Sequence, residues 1–324
     1  MTGMLMISFF TDISGYATPY HLILYAVLAI SLVYFLVRSQ TGRLIRIKKL
    51  LRDKDETLLK IESQRAELES KNKSITDSLI YAQRIQEALL PSEDYFRKYF
   101  KESFIFYKPK DIVSGDFFWI GENNEKIFIA AADCTGHGVP GALMSMIGHD
   151  LLEKIINIDK IEKPSAVLEI MSKGLEKTFS REKNVGTIIR DGMDIGLCVV
   201  DRVNRKIEFA GAFFPLYIIR DNRLIELKGN KFTLGMIPEE ASYTNLEMEL
   251  MEDDMIYLFS DGYVDQFGGA DYKKFMYRRF RYLLMTIYRF PVDDQKSILE
   301  ENIKTWMGVT PQIDDILVMG FKPL

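Results

Sequence analysis

The pattern of hydrophobic and polar positions divides the chain into three regions. Residues 22–37 form one uncharged apolar run, and from Arg43 to Leu90 apolar residues recur at heptad spacing without glycine or proline. Past Pro91, short apolar runs of strand length alternate with longer segments of helical period. The pattern predicts a helix of membrane length, a long amphipathic helix and a mixed α and β region, in that order.

The region past Pro91 has the organisation of one domain. Its apolar runs are short and bounded by turn residues, which is typical of strands. The clearest strand candidates are 127–132 (IFIAAA), 255–260 (MIYLFS) and 316–321 (ILVMGF). Helical periodicity appears in two pairs of segments, 142–156 with 164–179 and 272–288 with 293–306. The stretch from Ser92 onward is about 230 residues long, a usual size for a single domain.

The apolar run near the start has the features of a membrane anchor. Residues 22–37 (LILYAVLAISLVYFLV), with Tyr20 and His21, approach the length that spans a bilayer. Six Arg and Lys residues follow within 38–52, whereas the preceding segment has one acid and no Lys or Arg. The positive-inside rule then places the rest of the chain in the cytoplasm. We predict a single-pass protein of the inner (cytoplasmic) membrane; because the run is slightly short, a buried core helix is the alternative.

The heptad region predicts a coiled coil that pairs two copies of the chain. Ten of the fourteen seam positions are apolar, which favours pairing over a solvated single helix. The a positions are Leu44, Leu51, Leu58, Arg65, Asn72, Leu79 and Gln86, and the d positions are Ile47, Lys54, Ile61, Leu68, Ile75, Ala82 and Leu89. Asn72 is a polar residue of the kind that favours a parallel pair. The alternative is a helix packed on its own domain, expected mainly for the last turns, 80–91 (IYAQRIQEALLP).

Acidic residues stand at the ends of several predicted strands, beside small or flexible residues. They are Asp116 in SGDFFW, Asp133 in AADCTGHG, Asp261 in LFSDG, and one of Asp314 and Asp315 in QIDDILVMG. Each alone is an ordinary turn residue, but independent turns would not repeat this placement. A strand end is a rigid place from which to aim a carboxylate. Four oxygen anions without a Cys or His cluster suit Mg²⁺ or Mn²⁺, which predicts a metal-dependent hydrolase of phosphate esters.

Other functional classes lack their sequence features. Residues 136–141 spell G-x-G-x-x-G, but Asp133 would repel a pyrophosphate, and the helix after this loop is followed by another helix instead of a strand. Motifs of P-loop proteins, zinc proteases and serine hydrolases are absent. The net charge is −4 and acidic and basic residues are interleaved, so the sequence lacks the basic patch typical of nucleic-acid binding. Cys134 and Cys198 stand in apolar or site contexts, which suggests a reduced compartment.

Six motifs occur in the order SGDFFW, ADCTGHGVPGALMSMIG, DGMDIGLC, AGAFFPLY, LFSDGYVDQFGG and QIDDILVMG. Together they resemble the SpoIIE/RsbU-type branch of the metal-dependent protein serine/threonine phosphatases, the PPM superfamily. The resemblance covers residues 92–324. It implies an α+β fold, an αββα sandwich of two antiparallel sheets flanked by helices, and the short strands and paired helices agree with it.

Carried over position by position, the resemblance implies a centre of two Mn²⁺ or Mg²⁺ ions. Its ligands would be the side chains of Asp116, Asp133, Asp261 and Asp314 and the carbonyl group of Cys134. Asp133 would bridge the ions, and an activated water would attack a phosphoserine or phosphothreonine in line. Asp314 is chosen over Asp315 on the family pattern alone, and Asp315 is expected to support the site.

Further residues near the predicted site bear on proton transfer, hydrogen bonding and substrate preference. His137 follows Asp133 by four residues and would donate a proton to the leaving serine oxygen; the alternative is a loop residue that holds the glycine turn. We expect Asp194 to form a structural hydrogen bond instead of ligating metal. Phe213 and Phe214 replace a polar pair often found in the family, which leaves substrate preference open.

The resemblance therefore implies a membrane-anchored, dimeric phosphatase of bacterial signalling. Its substrate would be a phosphorylated regulatory protein of the anti-sigma-factor antagonist type. In family members the helix that enters the phosphatase domain serves in dimerisation and switching. The alternative is a catalytically silent PPM-fold scaffold that binds a signalling partner, against which the four filled acidic positions argue. The predicted boundaries are an extracytoplasmic segment 1–19, a transmembrane helix 20–38, a coiled-coil linker 39–91 and a phosphatase domain 92–324.

Overall fold

The computed structural model describes residues 19–136, 138–180, 191–236, 238 and 241–324. They fall into two compact units, one ending at Ile75 and the other running from Thr76 to Leu324. Nearly all of the predicted extracytoplasmic segment, and His137, lie outside the described residues.

The described part of the first unit, from Pro19 to Ile75, is one uninterrupted helix. Helix α1 (Pro19–Leu89) is 71 residues long and continues into the second unit. Among the described residues, one helix has the length and composition to cross a membrane. None of its most apolar stretch of 18 residues is buried. Leu44, Leu51 and Leu58 of the predicted seam are also exposed in the single chain. The predicted helix is therefore present, while the membrane and the second copy remain predictions.

The second unit contains twelve short strands among its described residues. They are β1 (Ser103–Lys108), β2 (Phe117–Asn123), β3 (Lys126–Cys134), β4 (Met193–Asp201), β5 (Lys206–Ala212), β6 (Leu216–Arg220), β7 (Arg223–Leu227), β8 (Leu246–Glu249), β9 (Met255–Phe259), β10 (Phe267–Gly268), β11 (Lys273–Lys274) and β12 (Ile316–Phe321). Two five-stranded antiparallel sheets have the orders β2-β3-β4-β5-β8 and β1-β12-β9-β6-β7, and β10 pairs with β11. The strand pattern predicted from short apolar runs is confirmed.

Helices cover the outer face of each sheet. They are α3 (Val139–Leu152), a π-helical turn (Glu153–Ile158), α4 (Pro164–Ser180), α5 (Gly262–Asp265), α6 (Tyr277–Ile287) and α7 (Val292–Met307). The short helix α2 (Glu93–Tyr99) instead packs its Phe96 into the layer between the sheets. The predicted start of α6 at residue 272 was wrong, because 273–274 pair with 267–268 as a small hairpin. The two predicted helix pairs are otherwise present.

Three apolar layers hold this arrangement together. Ile129 and Leu258 belong to a cluster between the two sheets, Met144 and Leu168 to one that includes α3 and α4, and Phe280 to one that includes α6 and α7. Each buried side chain of this size contributes about 1.5–3 kcal/mol by leaving water. The predicted αββα sandwich is therefore confirmed.

Strand β3 shows why the central strands read as continuous apolar runs. Ile127, Ile129 and Ala131 face the layer between the sheets, and Phe128, Ala130 and Ala132 face the helical layer. Alternate residues point to opposite faces of a strand, so a strand covered on both faces needs apolar residues throughout. The run breaks at Asp133, where the strand reaches the edge of the sandwich.

Candidate active site

Each sheet contributes two of the predicted acidic residues to one edge of the sandwich. Asp116 directly precedes β2, and Asp133 is the next-to-last residue of the neighbouring strand β3. In the other sheet Asp261 follows β9 by two residues, and Asp314 precedes the neighbouring β12 by two. A hydrogen bond of 2.5 Å from Ser260 Oγ to Asp116 Oδ2 joins the two pairs. The four aspartates predicted from sequence are thus brought together.

The pKa values show how closely these carboxyl groups crowd one another. Burial, followed by repulsion from Asp261 and Asp314, raises the pKa of Asp133 to about 8. Burial, Asp265 and Asp314 raise the pKa of Asp261 to about 6. Burial and then Asp133 raise the pKa of Asp116 well above its ordinary value. Burial and repulsion both disfavour the charged carboxylates, so a bound cation would offset the energetic cost of this cluster.

Close backbone packing at glycines fixes the loops that carry the acids. A Cβ atom on Gly262 would lie 1.8 Å from the carbonyl oxygen of Asp315, so the loops bearing Asp261 and Asp314 touch through their main chains. A Cβ on Gly115 would lie 2.8 Å from the carbonyl oxygen of Gly136 and 3.2 Å from that of Cys134. The carbonyl of Cys134 therefore lies beside the loop that leads to Asp116.

The adjacent acids Asp314 and Asp315 have different surroundings. Asp315 is buried; its Oδ1 accepts a hydrogen bond of 2.7 Å from the Lys110 N–H and its Oδ2 one of 2.8 Å from the Gly115 N–H. Asp314 is half-buried, and its Oδ1 accepts the Asp315 N–H at 2.9 Å. Both oxygens of Asp315 thus hold the loop before Asp116, which leaves Asp314 as the better candidate ligand.

The donor set fits hard divalent cations. Carboxylates and one carbonyl oxygen are the ligands that Mg²⁺ and Mn²⁺ prefer. Burial raises the pKa of the Cys134 thiol well above its ordinary value, so its sulfur is a poor ligand. Across the part of the chain that the structure describes, no three His, Cys, Asp or Glu side chains are grouped so as to hold an ion. Mg²⁺ commonly uses one or two carboxylates and completes its ligand set with waters. Four acids at one edge can therefore supply the carboxylates for two such ions.

Asp194 has the hydrogen-bonding role expected from sequence. It stands opposite Asp133 in the β3–β4 register, and its Oδ1 accepts a hydrogen bond of 2.8 Å from Thr233 Oγ1. Burial raises its pKa, and the bond from Thr233 opposes that rise. Asp194 therefore adds negative charge to the edge and ties it to the segment that carries Thr233.

Sequence reasoning missed the role of Ser260. The Ser260 side chain is buried, donates to Asp116 and accepts a bond of 3.1 Å from the Leu317 N–H. It thereby links one carboxylate to the sheet that carries Asp261. In the sequence, this role is indicated only by a small polar residue at the end of an apolar strand. Ordinary turns have the same kind of residue there, so the signal is not specific.

Gln86 is a second residue that supports the site, although the heptad pattern predicted it in the coiled-coil seam. Its Nε2 donates to the Ser114 carbonyl at 2.6 Å and to Ser145 Oγ at 2.8 Å, and its Oε1 accepts the Ser114 N–H at 3.0 Å. The side chain is buried, so its assignment to the coiled-coil seam was wrong; the alternative for these last turns is confirmed. Gln86 connects α1 with the loop before Asp116 and with α3, which follows Asp133.

Comparison with known proteins agrees with this architecture. A sequence model of the Stage II sporulation protein E (SpoIIE) family matches residues 123–323. The phosphoserine phosphatase RsbU of Bacillus subtilis (strain 168) is 31% identical over 167 residues, which cover 48% of this chain and 44% of that protein. The chain thus matches less than half the length of this relative.

Solved structures share the fold of the second unit. The SiaA-PP2C domain of Pseudomonas aeruginosa superimposes with a TM-score of 0.70 at 34% identity, over 78% of this chain and 98% of that one. The PP2C phosphatase domain of SpoIIE from Bacillus subtilis, solved with a fragment of its regulatory domain, gives 0.54 at 17% identity, over 68% and 62%. The fold is that of a PPM-type phosphatase domain. The chain belongs to the SpoIIE family, as the six motifs predicted.

Proposed function

We propose that this protein is a metal-dependent phosphatase that hydrolyses phosphoserine or phosphothreonine on a regulatory protein. One observation carries the proposal: two sheets bring four aspartates to one edge, where burial and mutual repulsion raise the pKa values of Asp116, Asp133 and Asp261. Such a cluster costs free energy in the absence of cations. Two bound Mn²⁺ or Mg²⁺ ions would offset this cost, which accounts for a cluster of four acids at the edge of a PPM fold.

In this proposal the residues divide the work between ligation and positioning. The side chains of Asp116, Asp133, Asp261 and Asp314 and the carbonyl of Cys134 would hold the ions. When bound, the ions supply the Lewis acidity that activates water against a phosphate ester. Asp315 and Ser260 orient the Asp116 loop through the bonds described above. His137, outside the described residues, remains the predicted proton donor.

The similarity to a protein named phosphoserine phosphatase RsbU supports a phosphoserine substrate. We propose a phosphorylated regulatory protein of the anti-sigma-factor antagonist type. The alternative, a catalytically silent scaffold, is disfavoured because an inactive domain has no need to retain four crowded acids. A comparison of phosphoproteins in cells with and without the gene would identify the substrate.

Metal dependence tests the proposed chemistry. We expect the full-length chain in detergent to hydrolyse p-nitrophenyl phosphate only with added Mn²⁺ or Mg²⁺, because all proposed ligands are hard oxygen atoms. Activity is measured after EDTA treatment and again after each ion is restored. A chain that stays active after complete chelation, or that responds to Zn²⁺ alone, contradicts the proposal.

We further propose that α1 anchors the protein in the inner membrane and pairs two copies in parallel. The apolar window and the positive charges that follow it support the anchor. The exposed leucines at 44, 51 and 58 support the pairing, because a helix seldom leaves a regular apolar seam in water. We expect this seam to end before Gln86, because that side chain is buried on the second unit.

The stalk prediction concerns residues 39–91 as a peptide. We expect a parallel dimer, and we expect Asn72→Leu to raise its melting temperature while loosening its oligomeric state, because Asn at an a position trades stability for register. Sedimentation equilibrium and circular dichroism measure both properties. Ser70→Leu, a change outside the seam, serves as the control, and a helical monomer at high concentration would refute the seam.

A further inference from the structure

Phe213 has an unusual backbone for an aromatic residue. Its φ angle is +59°, in the left-handed region that bulky side chains rarely adopt. The Phe213 N–H donates to the Asn230 carbonyl at 2.7 Å, and the Asn230 N–H donates to the Gly211 carbonyl at 2.7 Å. These two bonds, part of an isolated parallel bridge between Ala212 and Asn230, hold the residue in place. Asn or Gly would meet this geometry at lower cost, so local structure does not explain a phenylalanine here.

The ring of Phe213 does not serve the core either. Its side chain is 49% exposed, whereas the next residue, Phe214, is buried. The carbonyl oxygen of Phe214 would lie 2.4 Å from a Cβ on Gly211 and 2.6 Å from one on Gly229, so close packing in this turn involves Phe214 and the main chain. A strained aromatic residue that stays about half exposed to water is the kind of outlier from which function can be inferred.

Phe213 lies on the edge that carries the acids. Asp133 pairs with Asp194 in the β3–β4 register, and Ile195 pairs with Ala212 in the β4–β5 register. Phe213 directly follows Ala212, and the register extended by one residue puts it about two strand spacings, ~10 Å, across the sheet from Asp133. That distance suits a contact with a residue next to a phosphorylated side chain, beyond the phosphate itself.

A second exposed apolar residue lies on the same edge. Met236 is 41% exposed, and its Cε atom would lie 3.5 Å from a Cβ on Gly192, next to the start of β4. Methionine adapts its shape to different apolar partners. Phe213 and Met236 therefore offer apolar surface near Asp194, which faces Asp133.

We propose that Phe213 is a specificity-determining residue that contacts an apolar side chain flanking the phosphoserine of the protein substrate. This inference rests on the proposed phosphatase function and adds a preference for apolar flanking sequence. This contact with the substrate would offset the cost of the strained backbone and of the exposed ring, which explains why a phenylalanine is present here.

Two synthetic phosphoserine peptides of equal length and charge test the inference, one with leucines and one with serines beside the phosphoserine. The full-length wild-type chain with Mn²⁺ is expected to favour the leucine peptide by about tenfold in kcat/KM. Phe213→Asn should reduce that ratio to about two or less, while Phe213→Leu keeps most of it. The ratio is unaffected by a partial loss of folded protein or of metal.

Val203→Asn is the matched control. Val203 is an exposed apolar residue in the turn at the opposite end of the β4–β5 hairpin, about 23 Å along the strand from Asp194. It should keep the wild-type ratio. An unchanged ratio in Phe213→Asn, or equal wild-type rates on both peptides, overturns the inference alone. If the wild type hydrolyses neither peptide nor p-nitrophenyl phosphate, the proposed function fails and the inference fails with it.

Discussion

Asp133→Asn is expected to lower kcat by about a thousandfold or more, because it removes the charge that the two proposed metal sites share. Metal-based stabilisation of a transition state amounts to several kcal/mol, and each 1.36 kcal/mol is about tenfold in rate. Asparagine keeps the volume of the side chain, so the fold should remain. Hydrolysis of p-nitrophenyl phosphate under saturating Mn²⁺ measures the effect.

The same substitution should have the opposite effect on stability in the absence of metal. The pKa of Asp133 is raised from 3.8 to about 8, so the native state holds this proton more tightly than the unfolded state does. Such a group makes the wild-type chain lose stability as the pH rises from about 4 to about 8. Asparagine does not titrate, so the melting temperature of the variant in EDTA should exceed that of the wild type by more at pH 8 than at pH 6.

Asp253→Asn is the control for both measurements, because Asp253 is exposed and lies at the opposite end of β9 from Asp261. It should leave turnover and the pH dependence of melting unchanged. Near-normal activity in Asp133→Asn would remove this residue from the centre of the site. If the difference in melting temperature between Asp133→Asn and the wild type in EDTA does not grow with pH, the carboxylates do not crowd one another as described.

Gln86→Ala is expected to destabilise the second unit by about 2–4 kcal/mol, because it leaves the buried N–H and C=O of Ser114 without partners. It should also lower kcat by about tenfold to a hundredfold, since the freed loop carries Asp116 two residues later and small misplacements of a reacting group are costly. The Mn²⁺ concentration that gives half-maximal activity should rise as well. Urea unfolding and metal titration of activity measure these effects.

Gln83→Ala separates this contact from a general effect on the helix. Gln83 lies one turn earlier in α1 and donates only to Glu87 of the same helix, at 3.0 Å. Losing that bond should cost about 0.5 kcal/mol or less and leave metal response unchanged. Equal behaviour of the two variants would show that α1 does not position the Asp116 loop.

Several parts of the site could be predicted from sequence because they depend on local patterns. The apolar runs ending at Asp133 and Asp261, and the run that begins after Asp315, locate the strand ends. Those ends carry the acids, and a strand end limits where a carboxylate can point. Six motifs in a fixed order were enough to predict the family and the αββα sandwich.

Other parts depend on contacts between residues far apart in the chain, which no local pattern encodes. Ser260 and Asp116 are 144 residues apart, and Gly115 and Asp315 are 200 apart. Their hydrogen bonds form only when the two sheets pack face to face. The heptad rule assigned Gln86 to a seam because the rule considers one helix alone, and the second unit buries that side chain instead.

The sequence by itself determined the family, the order of the elements and the acidic residues at the strand ends, because periodicity and residue chemistry are properties of short segments. Only the tertiary structure decided how Asp314 and Asp315 differ, what supports Asp116, and where Phe213 lies. The reason is that burial, hydrogen-bond partners and pKa values depend on which distant segments meet. The left-handed backbone of Phe213 likewise depends on its hydrogen bond to the distant segment at Asn230.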